Sequence, residues 1–436
     1  MSMLVVYGKT VVAAPGKVFS NAFIEIHNGR IYRITYFGKE PDIEADIVMP
    51  GFIDPHAHCR DWKQSRKETL KSAGEAAVHG GITQVHDMPN TVPPIMGEDD
   101  VKRRLEAAER SRIPVRYMLY VGLSSGRSQV REAADCVLKY PQVAGLKLYA
   151  GESVGGLAVA DPVKQLEVYR ALASSKYHGV LLVHCEKVSE FSDGIWSVNN
   201  PQTWCDIRPP KAEIESVRDQ LGFAVKAGFK GRLHFCHVTV PESVELIRAA
   251  PKTLRVSCGV TPHHLLLSSE IMKRKSRGLY YKVNPPLRTE QAVLGLVRKL
   301  LTGSIDWIET DHAPHTINEK LSAPFASGLP ELDTFSNFIA ALGRHYGVPW
   351  DDVLKLTSLN AVKAFGLPSR EIKPGNAANM TLIDMNPETI EREDLKTNCG
   401  WSPYEGMTFP GRCRAVIIDG EPLVLKDGVS IRSRRQ

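Results

Sequence analysis

Polar residues that can bind metal ions stand directly after several apolar stretches of this 436-residue sequence. They are His56, His58, Lys147, His184, His237 and Asp311. Side chains two residues apart on a strand point to the same side, so His56 and His58 can contact one ion. Imidazole suits Zn²⁺ and the neighbouring transition metals. A structural role explains any one of these histidines equally well, but ligand types at the same end of several strands indicate a metal site.

Lys147 allows two interpretations. An ammonium group is a poor ligand beside two cations, and its ordinary role would be a salt bridge at the mouth of the fold. If the amine instead reacts with CO2, the product is a carbamate, an anion with two oxygens. Such a group would bridge two metal ions as a carboxylate does. The residues alone leave both interpretations open.

The elements that must position these residues alternate along the middle of the chain, where a short apolar strand is repeatedly followed by a helical pattern. Eight strand candidates end near His56, Met88, Val121, Lys147, His184, His237, Thr261 and Asp311. Helical stretches between them include residues 99–110, 162–177 and 212–227. Eight such units predict a TIM-like (β/α)8 barrel, whose strand ends converge on one face. The alternative is a doubly wound open sheet, but no Gly-rich nucleotide loop follows the first strand.

The two ends of the chain resemble each other and differ from the middle. Residues 4–7, 22–26 and 30–34 are short β-branched stretches separated by turn residues, as are residues 380–384 and 414–418. We therefore expect a small β-sandwich domain assembled from residues 1–49 and 368–436, around a barrel of residues 50–367.

Composition excludes several classes of partner. The chain is 43% hydrophobic and 24% charged, with a formal net charge of +6. The basic tail at residues 432–435 is better explained as solvated chain than as a nucleic-acid site, because no stacking aromatic residues or known motif accompany it. No apolar run is long enough to cross a bilayer. The 8 cysteines form no regular framework, which favours buried thiols and a cytoplasmic protein.

Several longer motifs resemble the amidohydrolase superfamily and, within it, the dihydroorotases. The diagnostic stretches are PGFIDPHAHCRD (50–61), DMPNT (87–91), NPPLR (284–288) and DHAPH (311–315), with KPGNAAN (373–379) resembling the return into the small domain. Together they span nearly the whole chain. The activity that the resemblance implies is the reversible cyclisation of N-carbamoyl-L-aspartate to L-dihydroorotate in de novo pyrimidine biosynthesis.

The resemblance also implies a binuclear metal centre. One divalent ion, expected to be zinc, would be held by His56, His58 and Asp311. A second would be held by His184 and His237. Carboxylated Lys147, carrying a CO2-derived carbamate, would bridge the two ions, and Asp311 would move the proton between the attacking water and the leaving nitrogen.

Substrate binding in the family assigns four further residues. Arg60 would pair with the carboxylate of the substrate through its planar guanidinium. Asn90 and His315 would complete that carboxylate site, and Asn284 would face the ring. An ion pair between Arg60 and Asp61 at the surface is the alternative role for the arginine.

The chain departs from the family pattern at three places. Trp62-Lys63 replaces a common Pro-Gly, so we expect a different loop beside the site. Gly259 replaces a glutamate that, with a cysteine at position 236, lies near a third metal in some relatives. Glu331 replaces a usual glycine, which predicts altered backbone contacts to the ring.

Two alternative functions remain at this stage. The first is an allantoinase or hydantoinase, which would use the same metal centre on another cyclic ureide. The second is a non-catalytic scaffold, with aspartate transcarbamoylase as its candidate partner. Arg60 with Asn90 favours an acidic substrate and therefore the dihydroorotase function. The sequence leaves open whether the chain forms a homo-oligomer.

Overall fold

A computed structural model describes residues 3–152, 156–274 and 277–424. The basic tail at residues 432–435 lies outside these ranges. The strands, in chain order, are β1 (Leu4–Ala14), β2 (Lys17–His27), β3 (Arg30–Thr35), β4 (Ile43–Pro50), β5 (Phe52–Ala57), β6 (Ile82–Asp87), β7 (Arg116–Gly122), β8 (Val143–Ala150), β9 (Val180–Cys185), β10 (Arg232–Phe235), β11 (Arg255–Val260), β12 (Trp307–Ile308), β13 (Met380–Asp384), β14 (Glu388–Thr389), β15 (Thr408–Phe409), β16 (Arg412–Ile418) and β17 (Glu421–Val424).

The helices surround and connect these strands. They are α1 (Leu70–His79), α2 (Glu98–Ser111), α3 (Arg127–Lys139), α4 (Pro162–Ser174), α5 (Thr203–Ile207), α6 (Pro210–Ala227), α7 (Pro241–Arg248), α8 (Pro262–Leu266), α9 (Glu290–Leu301), α10 (Ile317–Leu321), α11 (Phe335–Arg344), α12 (Trp350–Leu354) and α13 (Asn360–Phe365). Short 3₁₀ turns lie at Trp62–Gln64, Val188–Glu190, Ser269–Lys273, Gly278–Tyr281, Leu332–Thr334 and Arg392–Asp394, and a π-helical turn at Lys355–Leu359 joins α12 to α13.

The eight strands β5 to β12 form one parallel sheet in which each strand pairs with its sequence neighbours. A parallel bridge between Ala57 and His312 connects the two ends of the sheet and nearly closes it. Every residue of β5, β6, β8 and β9 is buried, because the barrel interior lies on one face of the strand and the helices cover the other. The predicted barrel is confirmed, and each of the eight predicted strand ends lies within three residues of an observed one.

The helices begin and end at residues that favour those positions. Thr69 accepts from the Ser72 amide at the start of α1, and the Ser72 hydroxyl accepts in turn from the Thr69 amide. Helix α6 begins at Pro210 and ends at Gly228, whose φ of 67° is the left-handed conformation that a helix end requires. These helix ends determine where the chain leaves each helix and returns to a strand of the barrel.

Both ends of the chain contribute to a second sheet, with the order β17-β16-β13-β4-β1-β2-β3. Its pairs are antiparallel except for β1 with β4. Strand β4 was not among the sequence expectations, although it joins the two halves of this sheet and leads directly into β5. The domain boundaries at residues 49 and 368 stay predictions.

All eight cysteines lie among the described residues and are unpaired, seven of them buried. Among those same residues, no helix is both long and apolar enough to cross a membrane.

Candidate active site

Three side chains that could hold a metal ion converge at the carboxyl end of the barrel. The Nε2 atoms of His56 and His58 lie 3.1 and 3.0 Å from the same atom, Oδ1 of Asp311. The far nitrogen of His58 lies 2.6 Å from Oδ1 of Asn90, with the amide oriented as in the structure. His58 therefore donates from Nδ1, which leaves the lone pair of Nε2 facing a carboxylate oxygen. A cation bound by His56, His58 and Asp311 together would satisfy these facing lone pairs.

A second pair of histidines lies beside the first group. Nδ1 of His184 is 3.0 Å from Nε2 of His237, while Nε2 of His184 is 3.1 Å from the Glu186 carboxylate. Glu186 is buried and is itself held by the Arg208 guanidinium at 2.7 Å. When His184 donates to Glu186, its Nδ1 lone pair is directed toward His237. A carboxylate that orients a histidine in this way is typical of the outer shell of metal sites.

Lys147 lies in the carboxyl half of β8 with its side chain fully buried. Its Nζ is 3.1 Å from Sγ of Cys236 and 5.2 Å from the centre of the Tyr149 ring. Within the described ranges it has no carboxylate partner at salt-bridge distance. An ammonium group buried without such a partner is unfavourable. The salt bridge that the sequence left open for Lys147 is therefore not formed among the described residues.

The protonation states fit a metal centre. Burial lowers the pKa of His58 to about 4, and burial also lowers the pKa values of His184 and His237. Burial opposes the negative charge of Asp311, but His56 outweighs it and holds the pKa of that carboxyl well below its usual range. Neutral imidazoles and ionised carboxylates are the forms that bind metals. The residues present thus fit divalent metal ions.

The pKa of His56 shifts in the opposite direction from those of the other three histidines. Burial and the charge of Lys147 lower its pKa, but the Asp311 carboxylate outweighs both and the net pKa is raised well above its usual value. A metal ion bound at His56 would compete with a proton for the ring nitrogen, since an imidazole binds metals in its neutral form.

A cavity of about 70 Å³ opens beside these ligands. All ten predicted site residues line it: His56, His58, Arg60, Asn90, Lys147, His184, His237, Asn284, Asp311 and His315. Barrel strands β5, β8 and β9 and the segments that follow β5, β6, β10, β11 and β12 bring them together. Their presence around one cavity is what a converging barrel face predicts.

One corner of the cavity is cationic, because Lys67 beside it pairs with Glu319 at 3.2 Å whereas Arg60 has no carboxylate partner among the described residues. The Arg60 side chain is buried, with its Nη2 3.4 Å from Nε2 of His315. The other ring nitrogen of His315 lies 3.1 Å from Nζ of Lys67. Among the described residues, Nε of Arg60 has no hydrogen-bond partner. Arg60 makes no ion pair with Asp61, so the alternative surface role does not apply, and the corner is suited to an anionic group.

Asn284 is held from outside the cavity by a residue that the sequence did not single out. Nε1 of Trp204 donates to Oδ1 of Asn284 at 3.0 Å. The Trp204 ring lies between two cations, with Nζ of Lys282 3.9 Å and the Arg208 guanidinium 5.0 Å from its centre. Because the Asn284 oxygen is occupied, its amide hydrogens remain available to a ligand. Trp204 lies in the short helix α5, and no motif or spacing around it indicates this role.

Tyr149 is a second residue that the sequence did not identify. It lies two positions beyond Lys147 on β8, on the same side of the strand, and lines the cavity. Its hydroxyl is buried and has no partner in the described parts of the chain. A buried hydroxyl usually finds a hydrogen bond in the folded protein. This one is available to a bound molecule, and the period-two spacing from Lys147 is the signal that would have found it.

The three departures from the family pattern each have a structural counterpart. Trp62 has φ 49°, a value that a proline ring cannot adopt, and the expectation of a different loop after β5 stays a prediction. A Cβ at Gly259 would lie 2.6 Å from Cδ of Glu309. The carboxylate of Glu309, which directly follows β12, therefore fills the space beside position 259. Burial raises the pKa of Glu331 well above its usual value, and its carboxyl accepts from Tyr404 at 2.9 Å.

Glu309 completes a polar cluster behind the metal ligands. Its carboxylate accepts from the His237 amide at 2.6 Å and from Nε1 of Trp307 at 2.9 Å, and it lies 3.2 Å from Nε2 of His234. His56, Cys236 and Glu309 form a second group whose ligand atoms all lie within 4.8 Å of one another. The carboxylate thus lies beside the cysteine even though position 259 is glycine.

A sequence model of the amidohydrolase family matches residues 47–167 and 220–423. The chain is 32% identical over 440 residues to a dihydroorotase of Thermococcus kodakarensis, covering 99% of this chain and 96% of that protein. It is 36% identical over 386 residues to a dihydroorotase of Pyrococcus abyssi, covering 88% and 85% respectively. Among solved structures, an L-hydantoinase (dihydropyrimidinase) from Arthrobacter aurescens has a TM-score of 0.84 at 23% identity, covering 98% of this chain and 97% of its own, which shows the same fold.

Proposed function

Since this chain belongs to the amidohydrolase family and, within it, to the dihydroorotases, we propose that it interconverts N-carbamoyl-L-aspartate and L-dihydroorotate in de novo pyrimidine biosynthesis. The observation that carries this proposal is the position of the cationic corner. Arg60, with an unpartnered Nε, lies in the same cavity as the metal ligands. The cavity therefore places an anion-binding group beside a centre suited to amide hydrolysis.

The substrate chemistry explains why both halves of the cavity are needed. Dihydroorotate is a cyclic amide that carries a carboxylate. A carboxylate that enters a buried site loses its hydration, which is unfavourable unless a cation replaces it. Arg60 supplies that charge in a planar geometry that fits two carboxylate oxygens. The amide hydrogens of Asn90 and Asn284 would contact the carboxylate and the ring.

Two divalent ions, of which zinc is the expected identity, would be held by the residues already described. His56, His58 and Asp311 would bind one ion, His184 and His237 the other, and a carbamate on Lys147 would connect them. When bound, such ions polarise the amide carbonyl and lower the pKa of water to about 7, so that it is a nucleophile at neutral pH.

Asp311 would carry the proton. It is ionised beside His56 and His58, and its carboxylate would accept the proton of the attacking water as the general base. It would then give that proton to the ring nitrogen as the carbon–nitrogen bond breaks. In the direction of ring closure, the same carboxylate removes the proton from the carbamoyl nitrogen, and water leaves. The unpartnered hydroxyl of Tyr149 is available to donate to the substrate oxygen.

The test is a panel of cyclic ureides assayed with purified, metal-reconstituted protein. We expect dihydroorotate to be hydrolysed with a much higher kcat/KM than hydantoin or allantoin, which lack its carboxylate. Chelation should abolish the activity and added zinc should restore it. A preference for hydantoin or allantoin would assign the chain to the neighbouring activity, and no turnover in protein that retains two ions per chain would favour the scaffold.

A further inference from the structure

Three consecutive residues after β5 have positive φ angles although none of them is glycine. The values are 49° for Arg60, 67° for Asp61 and 49° for Trp62. Asp61 combines its φ with a ψ of −168°, a region that is populated almost only by glycine. Such conformations persist only where the surrounding structure enforces them, and they concentrate at functional sites.

Trp62 is held from one side of this turn by a buried ion pair. The Arg104 guanidinium lies over the Trp62 ring, 4.9 Å from its centre. Arg104 is fully buried and donates to Oδ2 of Asp87 at 2.6 and 2.9 Å. The other oxygen of Asp87 accepts from the Cys59 amide at 2.9 Å. The residues on either side of the Arg60–Asp61 pair are thus attached to the same Arg104–Asp87 pair.

The turn is also connected to the segment after β12, which contains Asp311. The Asp61 amide donates to the Glu68 carbonyl at 2.9 Å. The buried Glu68 carboxylate lies 3.2 Å from Nε2 of His312, the residue after Asp311. Arg60 and Asp311 therefore lie on segments that are fixed to each other through the short stretch 61–68.

Arg60 depends on this backbone for its position. Its guanidinium makes a single long contact, to His315, and no carboxylate among the described residues holds it. We propose that Trp62 is a positioning residue that determines specificity, because its contact with Arg104 holds the strained turn that directs Arg60 into the cavity. This inference rests on the proposed function, since the group that Arg60 would recognise is the substrate carboxylate.

The first test is replacement of the indole. Trp62→Ala should raise the KM for dihydroorotate at least tenfold, with kcat and metal content close to those of the wild type. Trp62→Phe should have a smaller effect, because a ring remains beneath the guanidinium. Trp62→Leu, which keeps apolar volume without a π face, provides a second variant should the alanine protein fold poorly. Trp350→Ala, which removes a half-buried indole far from the cavity, is the matched control and should leave KM unchanged.

A second experiment distinguishes a displaced Arg60 side chain from a general disruption of the active site. The probe is 5,6-dihydrouracil, which has the same ring without the carboxylate, used as a competitive inhibitor. Its inhibition constant should change less than threefold in Trp62→Ala. If Trp62→Ala weakens the binding of dihydroorotate and of dihydrouracil by the same factor, the inference is wrong. It is also wrong if a folded Trp62→Ala keeps the wild-type KM for dihydroorotate.

A rescue experiment tests the strain directly. Glycine adopts positive φ without the steric penalty that aspartate incurs. Asp61→Gly added to Trp62→Ala should therefore recover part of the lost affinity for dihydroorotate, whereas Lys63→Ala in the same background should not. Equal KM values for the two double variants would contradict the strain argument. Absence of dihydroorotate turnover in the wild type would instead contradict the proposed function and is seen before any variant is made.

Discussion

Arg60→Ala is the substitution that most directly tests how this chain selects its substrate. The side chain is buried, and within the described part of the chain its hydrogen-bond contact is to His315 at 3.4 Å. Removing it would leave the substrate carboxylate in a buried corner without its strongest partner. Breaking a buried ion pair in this way costs about 3–5 kcal/mol. At 1.4 kcal/mol per factor of ten, kcat/KM for dihydroorotate should fall roughly 10²- to 4×10³-fold.

The assay compares kcat/KM on dihydroorotate with the inhibition constant of dihydrouracil, and measures metal content on the same preparations. Metal content and dihydrouracil binding should stay near wild-type values. Arg66→Ala removes an exposed arginine from the same segment and is the matched control. Arg60→Lys should recover only part of the loss, because lysine keeps the charge but not the planar pair of donors. Normal dihydroorotate kinetics in Arg60→Ala would refute the reasoning.

Three further substitutions test the metal centre and the proton path. Lys147→Ala should lower metal content and remove most activity, with partial rescue by a small carboxylic acid; near-normal turnover would exclude a bridging role. Asp311→Asn should reduce kcat by about 10²–10⁴-fold, the usual contribution of general acid–base catalysis, and an unchanged rate would remove Asp311 from the mechanism. Tyr149→Phe should lower kcat by about 10²-fold if its hydroxyl donates to the developing oxyanion, whereas unchanged kcat in protein of normal metal content would show that the hydroxyl is not used.

The barrel and its polar strand ends could be predicted because both follow from simple periodicities. Strands buried on both faces appear as short apolar runs, and the alternation of such runs with helical patterns gives the number of units. The two-residue repeat of a strand places His56 and His58 on one side, and the convergence of strand ends gathers His184 and His237 beside them. Neither prediction required knowledge of contacts between residues that are distant in the sequence.

The features that could not be predicted depend on tertiary contacts. Nothing in the residues 60–62 indicates positive φ angles, because aspartate and tryptophan ordinarily avoid them, and the ion pair that holds them comes from β6 and α2. Trp204 orients Asn284 from helix α5, 80 positions away in the chain. Strand β4 was missed because its polar residues, Glu44 and Asp46, interrupt the apolar run on which recognition of a buried strand depends.

The contact between Gly259 and Glu309 leads to a last prediction, on stability. A side chain at position 259 would meet the Glu309 carboxylate, since its Cβ would lie 2.6 Å from Cδ. Gly259→Glu alone should therefore destabilise the fold by about 1–3 kcal/mol, as overpacking does. Glu309→Ala alone should also destabilise it, because His234, Trp307 and the His237 amide lose their acceptor, and each buried donor left unpaired costs about 1–3 kcal/mol.

In the double variant, the new glutamate can enter the space that Glu309 vacates and accept from the same donors. The combined loss in unfolding free energy should be smaller than the sum of the single losses by about 0.5–3 kcal/mol, the range found for residues in contact. Denaturant unfolding of the four proteins measures this coupling, with Gly222→Ala as the control, because a Cβ at Gly222 meets nothing within 4 Å. Additive losses would show that side chains at positions 259 and 309 do not compete for one space. The Glu309 carboxylate would then not depend on the glycine at position 259 for its place.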